Sequence, residues 1–503
     1  MADVTREVER KYEGGEGGFP EVTGTAGVAR VADRGVVELD ATYYDTPDER
    51  LAAASLTLRR RTGGGDAGWH VKFPVAPGVR DEIRAPLSDT VPEEIAALVR
   101  SRVRGAELVP VIRLRSARHV LDLFDADGTL LAEASTDTVT AERLNRAGGT
   151  AHWTETEVEL ADGGDPALLD RIEKRLRTAG LRPSKSPSKL ARALAETGGR
   201  GSGAGAPAAP VTAGDHVLAY LREQREAILS GDPAVRRDLP DAVHRTRVAT
   251  RRARSALRGF RTVLDPAVTA PLAAELKWLA GELGLDRDQE VLAERLTADL
   301  AGLPDDLVTG PVHERLTGWA TARHHSTRAQ LIGVLDSARY LALLDTLDAL
   351  LADPPLLKGA ARKPGKTLTK ALRTDFAKLS RLVETALELP PGEERDRTLH
   401  EARKKAKRTR YGAEAAVPAL GTPARALVKS MKSLTTLLGE HQDAVMARRT
   451  LRELAAVAHG AGENAFPYGV LYGREERRAA DTEAELLGKW EETITECAAD
   501  RLI

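Results

Sequence analysis

The hydrophobic period changes once along this chain, and the change falls at a stretch that cannot hold a core. Residues 198–210, GGRGSGAGAPAAP, show no apolar periodicity and have the composition of a flexible linker. Before it, short segments alternate in character between turn signals: REVERKYE, VVELDATYYD, LTLRRRT, GWHVKFP, DEIRAPL, VIRLRSA, LLAEASTDTV and WTETEVEL. Period two punctuated by Gly and Pro predicts an antiparallel sheet or barrel. Two helical stretches, near 92–101 and 166–179, interrupt it, and each begins with Pro, which suits a first helical turn. After the linker, apolar residues recur three and four apart in stretches near 215–229, 241–263, 271–300, 311–330, 337–352, 366–388, 396–415, 423–457 and 473–495. This predicts an all-helical region of eight or nine helices, too many for one simple bundle and so two bundles side by side. The resulting division is a first domain at 1–197, a linker at 198–212 and a second domain at 213–503.

Bulk properties narrow the class. With 503 residues the chain is long enough for two real cores. Its net charge is −1, so any strongly basic face is local and has to be explained locally. The single Cys497 excludes an internal disulfide framework and suggests a reducing compartment. No opening segment has the order of a signal peptide, and leucine-rich runs such as YLALLDTLDALLADPPLL are cut by Asp and Pro, so no membrane span is expected. A cytoplasmic location follows.

The first half carries charge in alternation. Glu7, Glu9 and Lys11 share one side of a strand, as do Arg59 with Arg61, His70 with Lys72, and Arg80, Glu82 and Arg84. Arg113 and Arg115 repeat the habit, Glu133 and Asp137 lie four apart, and Glu155, Glu157 and Glu159 form an acidic row. Two readings stand at this point. The charged sides can be a solvated sheet face, or, if the strands close, they can line a tunnel holding both signs. The second arrangement suits triphosphate or nucleotide chemistry, because carboxylates take hard divalent cations and Arg and Lys take phosphate oxygens. His70 and His152, each beside an aromatic, read as structural.

The second half writes one basic face twice. HRTRVATRRAR begins at His244 and HEARKKAKRTR at His400. In each, His is followed at offsets of three, seven and ten by bases: Arg247, Arg251 and Arg254, then Arg403, Lys407 and Arg410. At ~100° per residue these share one helix face. The first copy extends to Arg258 and Arg261, opposite an apolar stripe of Val243, Ala249, Ala253, Leu257 and Phe260. LGLDRDQEVL (283–292) and LGEHQDAVMA (438–447) repeat in turn, with the copies 156 residues apart at His and 155 at Leu. A repeat this long implies a duplicated bundle with pseudo-twofold symmetry. Like charges one turn apart repel, and few acids stand nearby in sequence, so a bound polyanion is the reading set against a solvated charged face. Nucleic acid is the weaker polyanion, since no aromatic platform interleaves with the bases. A metal held by the two His is disfavoured by their cationic neighbours.

These residues carry two family resemblances. Glu7-Val8-Glu9-Arg10-Lys11 resembles the ExExK signature of the CYTH, or triphosphate tunnel metalloenzyme, family. TYYDTPDERL, LTLRRR, WHVKFP, TEVEL and SPSKLARAL follow it in the family's order, over about residues 1–197. The resemblance implies an eight-stranded antiparallel barrel that hydrolyses inorganic or organic triphosphates with Mg²⁺ or Mn²⁺; some members are adenylate cyclases. It implies metal ligands at Glu7, Glu9, Glu157 and Glu159, and phosphate-binding bases at Lys11, Arg59, Arg61, Lys72, Arg84, Arg113, Arg115 and Lys189. At Arg84 the family often has an acid. Lys11 and Glu155 are the expected catalytic residues, with Glu157 and Glu159 as alternatives for orienting the water. VHRTRVATRRARSALRGF and LHEARKKAKRTRYGAE resemble the CHAD, or conserved histidine α-helical, family, and the paired LG…D segments match it too. This resemblance covers about residues 213–503. It implies two pseudo-twofold-related four-helix bundles binding inorganic polyphosphate at His244, Arg247, Arg251, Arg254, Arg258, His400, Arg403, Lys407 and Arg410. The second copy departs at Glu414, where the first has Arg258.

The expectation is a multidomain α+β protein: a tunnel barrel hydrolysing triphosphate or short polyphosphate, tethered to a helical polyphosphate-binding domain. Such a protein would associate with polyphosphate granules. Tethering would raise the effective concentration of phosphate chains at the tunnel. The rivals are a non-catalytic polyphosphate-binding protein and an adenylate cyclase.

Overall fold

The computed structural model describes residues 3–14, 18–145, 148–198 and 209–499; most of the expected linker, 199–208, lies outside them. The chain divides into two compact units, Met1–Ala208 and Ala209–Ile503.

In the first unit the alternating segments become eight long strands: β1 (Asp3–Glu13), β2 (Arg30–Asp45), β3 (Thr57–Thr62), β4 (Gly68–Ala76), β5 (Val79–Ala85), β6 (Val109–Phe124), β7 (Leu130–Arg143) and β8 (Thr150–Leu160). Their order is β5-β4-β3-β2-β6-β7-β8-β1, and β1 pairs with β5 to close an antiparallel barrel. A two-residue strand, β9 (Arg182–Pro183), adds to β1. β1 changes partner midway: Asp3–Val8 lie on β5 and Glu9–Glu13 on β8. The handover needs Gly78 in the β4–β5 turn, where φ is +73° and an added Cβ would stand 2.8 Å from the Glu9 carbonyl oxygen. Closure leaves few strand edges unpaired and gives every strand one lumenal and one outer face.

The outer faces are apolar where helices cover them. α2 (Glu93–Val103) packs Ile95, Leu98 and Val99 on Leu58, Trp69, Val71 and Ile83. α3 (Ala167–Thr178) packs Leu169, Ile172 and Leu176 on Tyr12, Ala132, Ala134 and Val158. Short α1 (Arg50–Ala53) precedes β3. α4 (Lys189–Glu196), capped by Ser188 accepting from the Ala191 amide, buries Leu190, Ala193 and Leu194 against Ala41, Tyr43, Leu114, Val139 and Trp153. Those five strand residues are in phase with the lumenal charges, so α4 plugs one end of the barrel. It also brings Lys189, its first residue, to the interior.

The second unit is helical: α5 (Ala213–Arg236), α6 (Ala242–Gly259), α7 (Pro266–Ala301), α8 (Val312–Asp336), α9 (Ala338–Ala352), α10 (Pro364–Glu388), α11 (Glu393–Leu420), α12 (Thr422–Gly460) and α13 (Phe466–Ala499). α5–α8 and α10–α13 are the two four-helix bundles, with α9 between them in sequence. The duplicated basic motifs fall on α6 and α11, and the LG…D segments on α7 and α12. The bundles do not have separate cores. One apolar cluster runs through both, including Leu221, Ala253, Leu276, Leu379, Ala406 and Leu434. A second joins the ends of α7 and α12 to the starts of α8 and α13 through Leu296, Leu300, Leu316, Leu451, Leu454 and Tyr468. The reason is length: α7 has 36 residues and α12 has 39 against 18 in α6, so at about 1.5 Å per residue the two long helices outrun their neighbours. Ala249, Ala253 and Ala256 on α6, and Ala402, Ala406 and Ala413 on α11, are buried. These small side chains let α6 and α11 pack closely and set the two basic faces together. Among the described residues no helix is long and apolar enough to cross a membrane.

Candidate functional site

The barrel encloses a cavity of about 370 Å³ lined mostly by charge. Its eight bases are Lys11, Arg59, Arg61, Lys72, Arg80, Arg84, Arg118 and Lys189; its eight acids are Glu7, Glu9, Asp66, Glu82, Glu133, Glu157, Glu159 and Asp162. Most of the charges group by strand, with Lys11 on β1, Glu82 on β5 and Glu133 on β7 as exceptions. β1 and β8, which are neighbours, supply Glu7, Glu9, Glu157 and Glu159, while β3, β4, β5 and β6 supply Arg59, Arg61, Lys72, Arg80, Arg84 and Arg118. A solvated sheet face is thereby excluded for these residues, because the charges point into the closed barrel.

Each wall carries its own counter-charges. Lys72 donates to both oxygens of Glu7 at 2.7 and 2.6 Å. Lys11 bonds Glu9 at 3.0 Å and also reaches Glu157. Glu82 gathers Arg84 at 2.5 Å, His70 at 3.0 Å, Lys72 at 3.3 Å and Arg59 at 3.5 Å. Burial opposes its ionisation, yet Lys72, His70 and Arg59 hold the carboxyl far below its ordinary range. His70 is lowered to about 4 by burial, despite its bond to Glu82, so it is a neutral structural ring at neutral pH. Arg61, paired with Asp66, is lowered to about 9 by burial and by Arg59.

At the floor of the cavity, Lys189 contacts Glu155 at 2.6 Å, Glu157 at 2.7 Å and Asp137 at 3.1 Å. Burial disfavours its charge, but Asp137, Glu157 and Glu155 outweigh that and raise it. Asp137, Glu155 and Glu157 are close enough together to hold a metal ion, although Lys189 and Arg118 already compensate them. Removing Lys189 would leave buried carboxylates without their central cation. Lys189→Ala is expected to cost roughly 3–5 kcal/mol, read as a lower urea midpoint for the barrel transition; an unchanged midpoint would show the cluster is already satisfied without it.

Glu159 is different. No cation pairs with it among the described residues, and burial, then Glu7, lifts its carboxyl to about 7. Glu7 is raised too, by burial first, with Lys72 opposing. Two crowded carboxylates lacking one positive charge are what a divalent cation would relieve, so the donor set fits a metal ion. The sign of the pH effect follows. A carboxyl at 4.5 in the unfolded chain and about 7 in the barrel adds stability that is present below 4.5 and lost as pH rises through 7, on the order of 3 kcal/mol. In chelator, the melting temperature of the barrel is expected to fall between about pH 5 and about pH 8, with Glu159→Gln flattening the slope and added Mg²⁺ removing it. A slope untouched by both would take Glu159 out of any metal site.

Two expectations for the barrel need correction. Arg113 and Arg115 are not lumenal: Arg113 bonds Asp40 at 2.5 to 3.1 Å on the outer face, and Arg115 lies 3.8 Å from the same carboxylate. In β6 the even positions point inward, so Arg118 takes the place expected of them, bonding Asp137 at 2.9 Å and Glu157 at 3.2 Å. Arg118 was missed because the strand was expected to stop at Ala117; it runs on to Phe124. Glu155, expected to act in catalysis, does not line the cavity. Its carboxylate accepts from Trp153 Nε1 at 2.8 Å and meets Lys189, so packing partners occupy it.

In the helical unit α6 and α11 bring the duplicated bases into one cluster. Burial, then Arg251, Arg403 and Arg247, lowers Lys407 to about 6, and Arg251 is lowered by burial with Arg247 and Arg403 adding to it. The LG…D repeat now has a structural role. An added Cβ at Gly284 would stand 2.8 Å from Arg247 Nη2, and at Gly439 3.3 Å from Arg403 Nη2. Each arginine thus lies across the glycine of the next helix, and Asp288 holds Arg247 at 2.7 and 3.0 Å. Acids absent from the neighbouring sequence therefore arrive from other helices, including Glu414, which takes Arg252 at 2.7 Å and Arg410 at 3.4 Å. Among the described residues no carboxylate pairs with Arg251, Arg254, Arg258, Arg403 or Lys407. His244 is exposed at the start of the face, and His400 is half-buried and lowered by burial and Lys404.

A closed barrel whose cavity is lined by both signs of charge, in one chain with a duplicated helical unit presenting bases, defines the class, and comparison with known proteins agrees. A CYTH domain matches residues 5–194 and a CHAD domain residues 219–452. Two uncharacterized proteins of Mycobacterium tuberculosis, from strains CDC 1551 / Oshkosh and ATCC 25618 / H37Rv, are each 40% identical over 485 residues, covering 93% of this chain and 92% of theirs. The chain belongs to the CYTH–CHAD proteins. Among solved structures, the CHAD domain from the plant Ricinus communis aligns at 28% identity and TM-score 0.45, covering 56% of this chain and 92% of that one. PptA from Streptomyces chartreusis aligns at 23% identity and TM-score 0.48, covering 56% and 100%.

Proposed function

We propose that the barrel is a metal-dependent triphosphatase acting on inorganic triphosphate or short polyphosphate, and that the helical unit binds inorganic polyphosphate. The observation that carries the first half is the balance of the lumen, eight bases against eight acids in one enclosed cavity. A cavity for a free anion would be basic throughout; a lumen with both signs suits a ligand that arrives as phosphate plus cation. Glu7, Glu9, Glu157 and Glu159 are the residues that would hold Mg²⁺ or Mn²⁺. A bound cation would supply charge neutralisation at phosphate oxygens and a more acidic water. Arg59, Arg61, Lys72, Arg84 and Arg118 would grip the phosphoryl groups, the guanidiniums by paired N–H donors. Lys11, between Glu9 and Glu157, would stand at the junction of the walls. Catalysis of this kind is mostly positioning and electrostatic stabilisation, which a rigid closed barrel provides.

The test is phosphate release from inorganic triphosphate and from ATP, each with Mg²⁺ and with Mn²⁺, together with measurement of cyclic AMP. Fast release from triphosphate is the expected result. Cyclic AMP and pyrophosphate from ATP would make the barrel a cyclase. Polyphosphate binding without any phosphate release would make the chain a binding protein only.

A further inference from the structure

The pseudo-twofold axis relates Arg252 to Arg408 and Arg258 to Glu414, each 156 residues apart. The two ends of the basic face therefore finish differently. At one end Arg252 donates to Glu414 at 2.7 Å, and Arg410 meets the same carboxylate at 3.4 Å. At the other end the equivalent pair is two arginines. Arg408 Nη2 donates to the Arg258 carbonyl at 2.7 Å, and Arg261 Nε reaches that carbonyl at 3.2 Å. Among the described residues only Asp375, buried on α10 and 2.9 Å from Arg408, offsets this group.

The helices flanking the two ends differ in the same sense. Lys366, Lys370, Lys378 and Arg381 are exposed along one side of α10. On α5, the counterpart helix, Arg225 is held by Asp348 at 2.7 Å and Arg236 by Asp232 at 2.8 Å. Lys378 and Lys405 sit near Asp375 and join the arginine end to the α10 face. Lys405 is lowered by burial, then Arg408, with Lys378 and Arg258 adding, as expected where cations are crowded without enough anions.

We propose that the polyphosphate track is one-sided: from the central cluster the bound chain runs over Arg258, Arg408, Lys405 and Lys378 onto the basic face of α10, while Glu414 closes the equivalent exit. This rests on the reading of the helical unit as a polyphosphate binder and gives the bound chain a direction. A symmetric groove would let it leave by either end.

The experiment titrates the full-length chain with long-chain inorganic polyphosphate in chelator, over a range of salt. Lys378→Ala with Lys405→Ala is expected to weaken binding roughly tenfold and to make the salt dependence shallower by about two units in the log–log slope, one per lost phosphate contact. Glu414→Gln, which frees Arg252 and Arg410, is expected to tighten binding and steepen the slope. Wild-type affinity in the double lysine variant, beside weakened binding in Arg251→Ala with Lys407→Ala, would overturn the one-sided track and leave the polyphosphate reading standing. So would Glu414→Gln binding no more tightly than wild type. No binding by the wild type would overturn both.

Discussion

Glu7→Ala combined with Glu9→Ala is expected to abolish metal-dependent triphosphate hydrolysis, lowering kcat by at least about 10³-fold. The two carboxylates are buried on the lumenal side of β1, one beside Glu159 and the other paired across to it in the β1–β8 ladder. Their loss removes half of the acid wall. It also releases Lys72, which spends two short bonds on Glu7, and Lys11, which bonds Glu9. The lumen would then be net positive, so a free triphosphate should bind as well as before or better. The expected signature is a collapse of kcat with KM unchanged or lowered, and loss of the Mg²⁺ or Mn²⁺ requirement for whatever binding remains. A variant that merely misfolded would lose both together, and Glu7→Gln with Glu9→Gln, which keeps the shape of the wall, serves as the control. Unchanged turnover would remove Glu7 and Glu9 from the metal role.

What the sequence made legible was set by periodicity. Alternation in eight segments was enough for an antiparallel sheet or barrel, and the resemblance to the CYTH family chose the closed form; Glu7, Glu9, Lys11, Arg59, Arg61, Lys72, Arg84, Glu157, Glu159 and Lys189 do share one cavity. What it could not set was phase. In β6, Arg113 and Arg115 alternate as a lumenal pair would, yet a strand buried against neighbours on both sides has no local mark for which parity points inward. Only the ladder to β7, which sets Arg118 opposite Asp137, decides it. Glu155 shows the same limit along the strand: it has the lumenal parity of Glu157 and Glu159, but α4 closes the barrel at its level and sends Lys189 down onto it. On the helices, face positions three, seven and ten residues apart could be read directly. The partners across space could not. Asp288 on Arg247 and Glu414 on Arg252 are contacts between helices far apart in sequence, and they turn a uniform basic face into a paired rim around an unpaired centre.

That unpaired centre gives the other large effect. Simultaneous Arg247→Ala, Arg251→Ala, Arg403→Ala and Lys407→Ala is expected to weaken polyphosphate binding at least about 10²-fold and to make its salt dependence shallower by about four units. Stability should move the other way. Lys407 is crowded by Arg251, Arg403 and Arg247 and is held at about 6, burial being the larger cause, so in the free protein the guanidiniums repel one another and a buried amine stands mostly uncharged among them. Deleting them removes that cost; against it, Arg247 gives up an ion pair to an Asp288 that is 65% exposed, and Asp443 loses the attraction of Arg403 and Lys407. A higher melting temperature with lost binding is what a cluster kept for its ligand would show; a solvated face would show neither. The same shift fixes a pH effect. Lys407 ionises near 10.5 in the unfolded chain and about 6 in the bundle, so at neutral pH it is mostly neutral until a phosphate oxygen draws its proton back. Binding therefore takes up a proton, affinity falls as pH rises above about 6, and Lys407→Ala should remove that part of the dependence. Calorimetry in two buffers of different ionisation enthalpy reads the uptake directly. Wild-type affinity in the fourfold variant, with no change in salt slope, would reduce the duplicated face to charged surface.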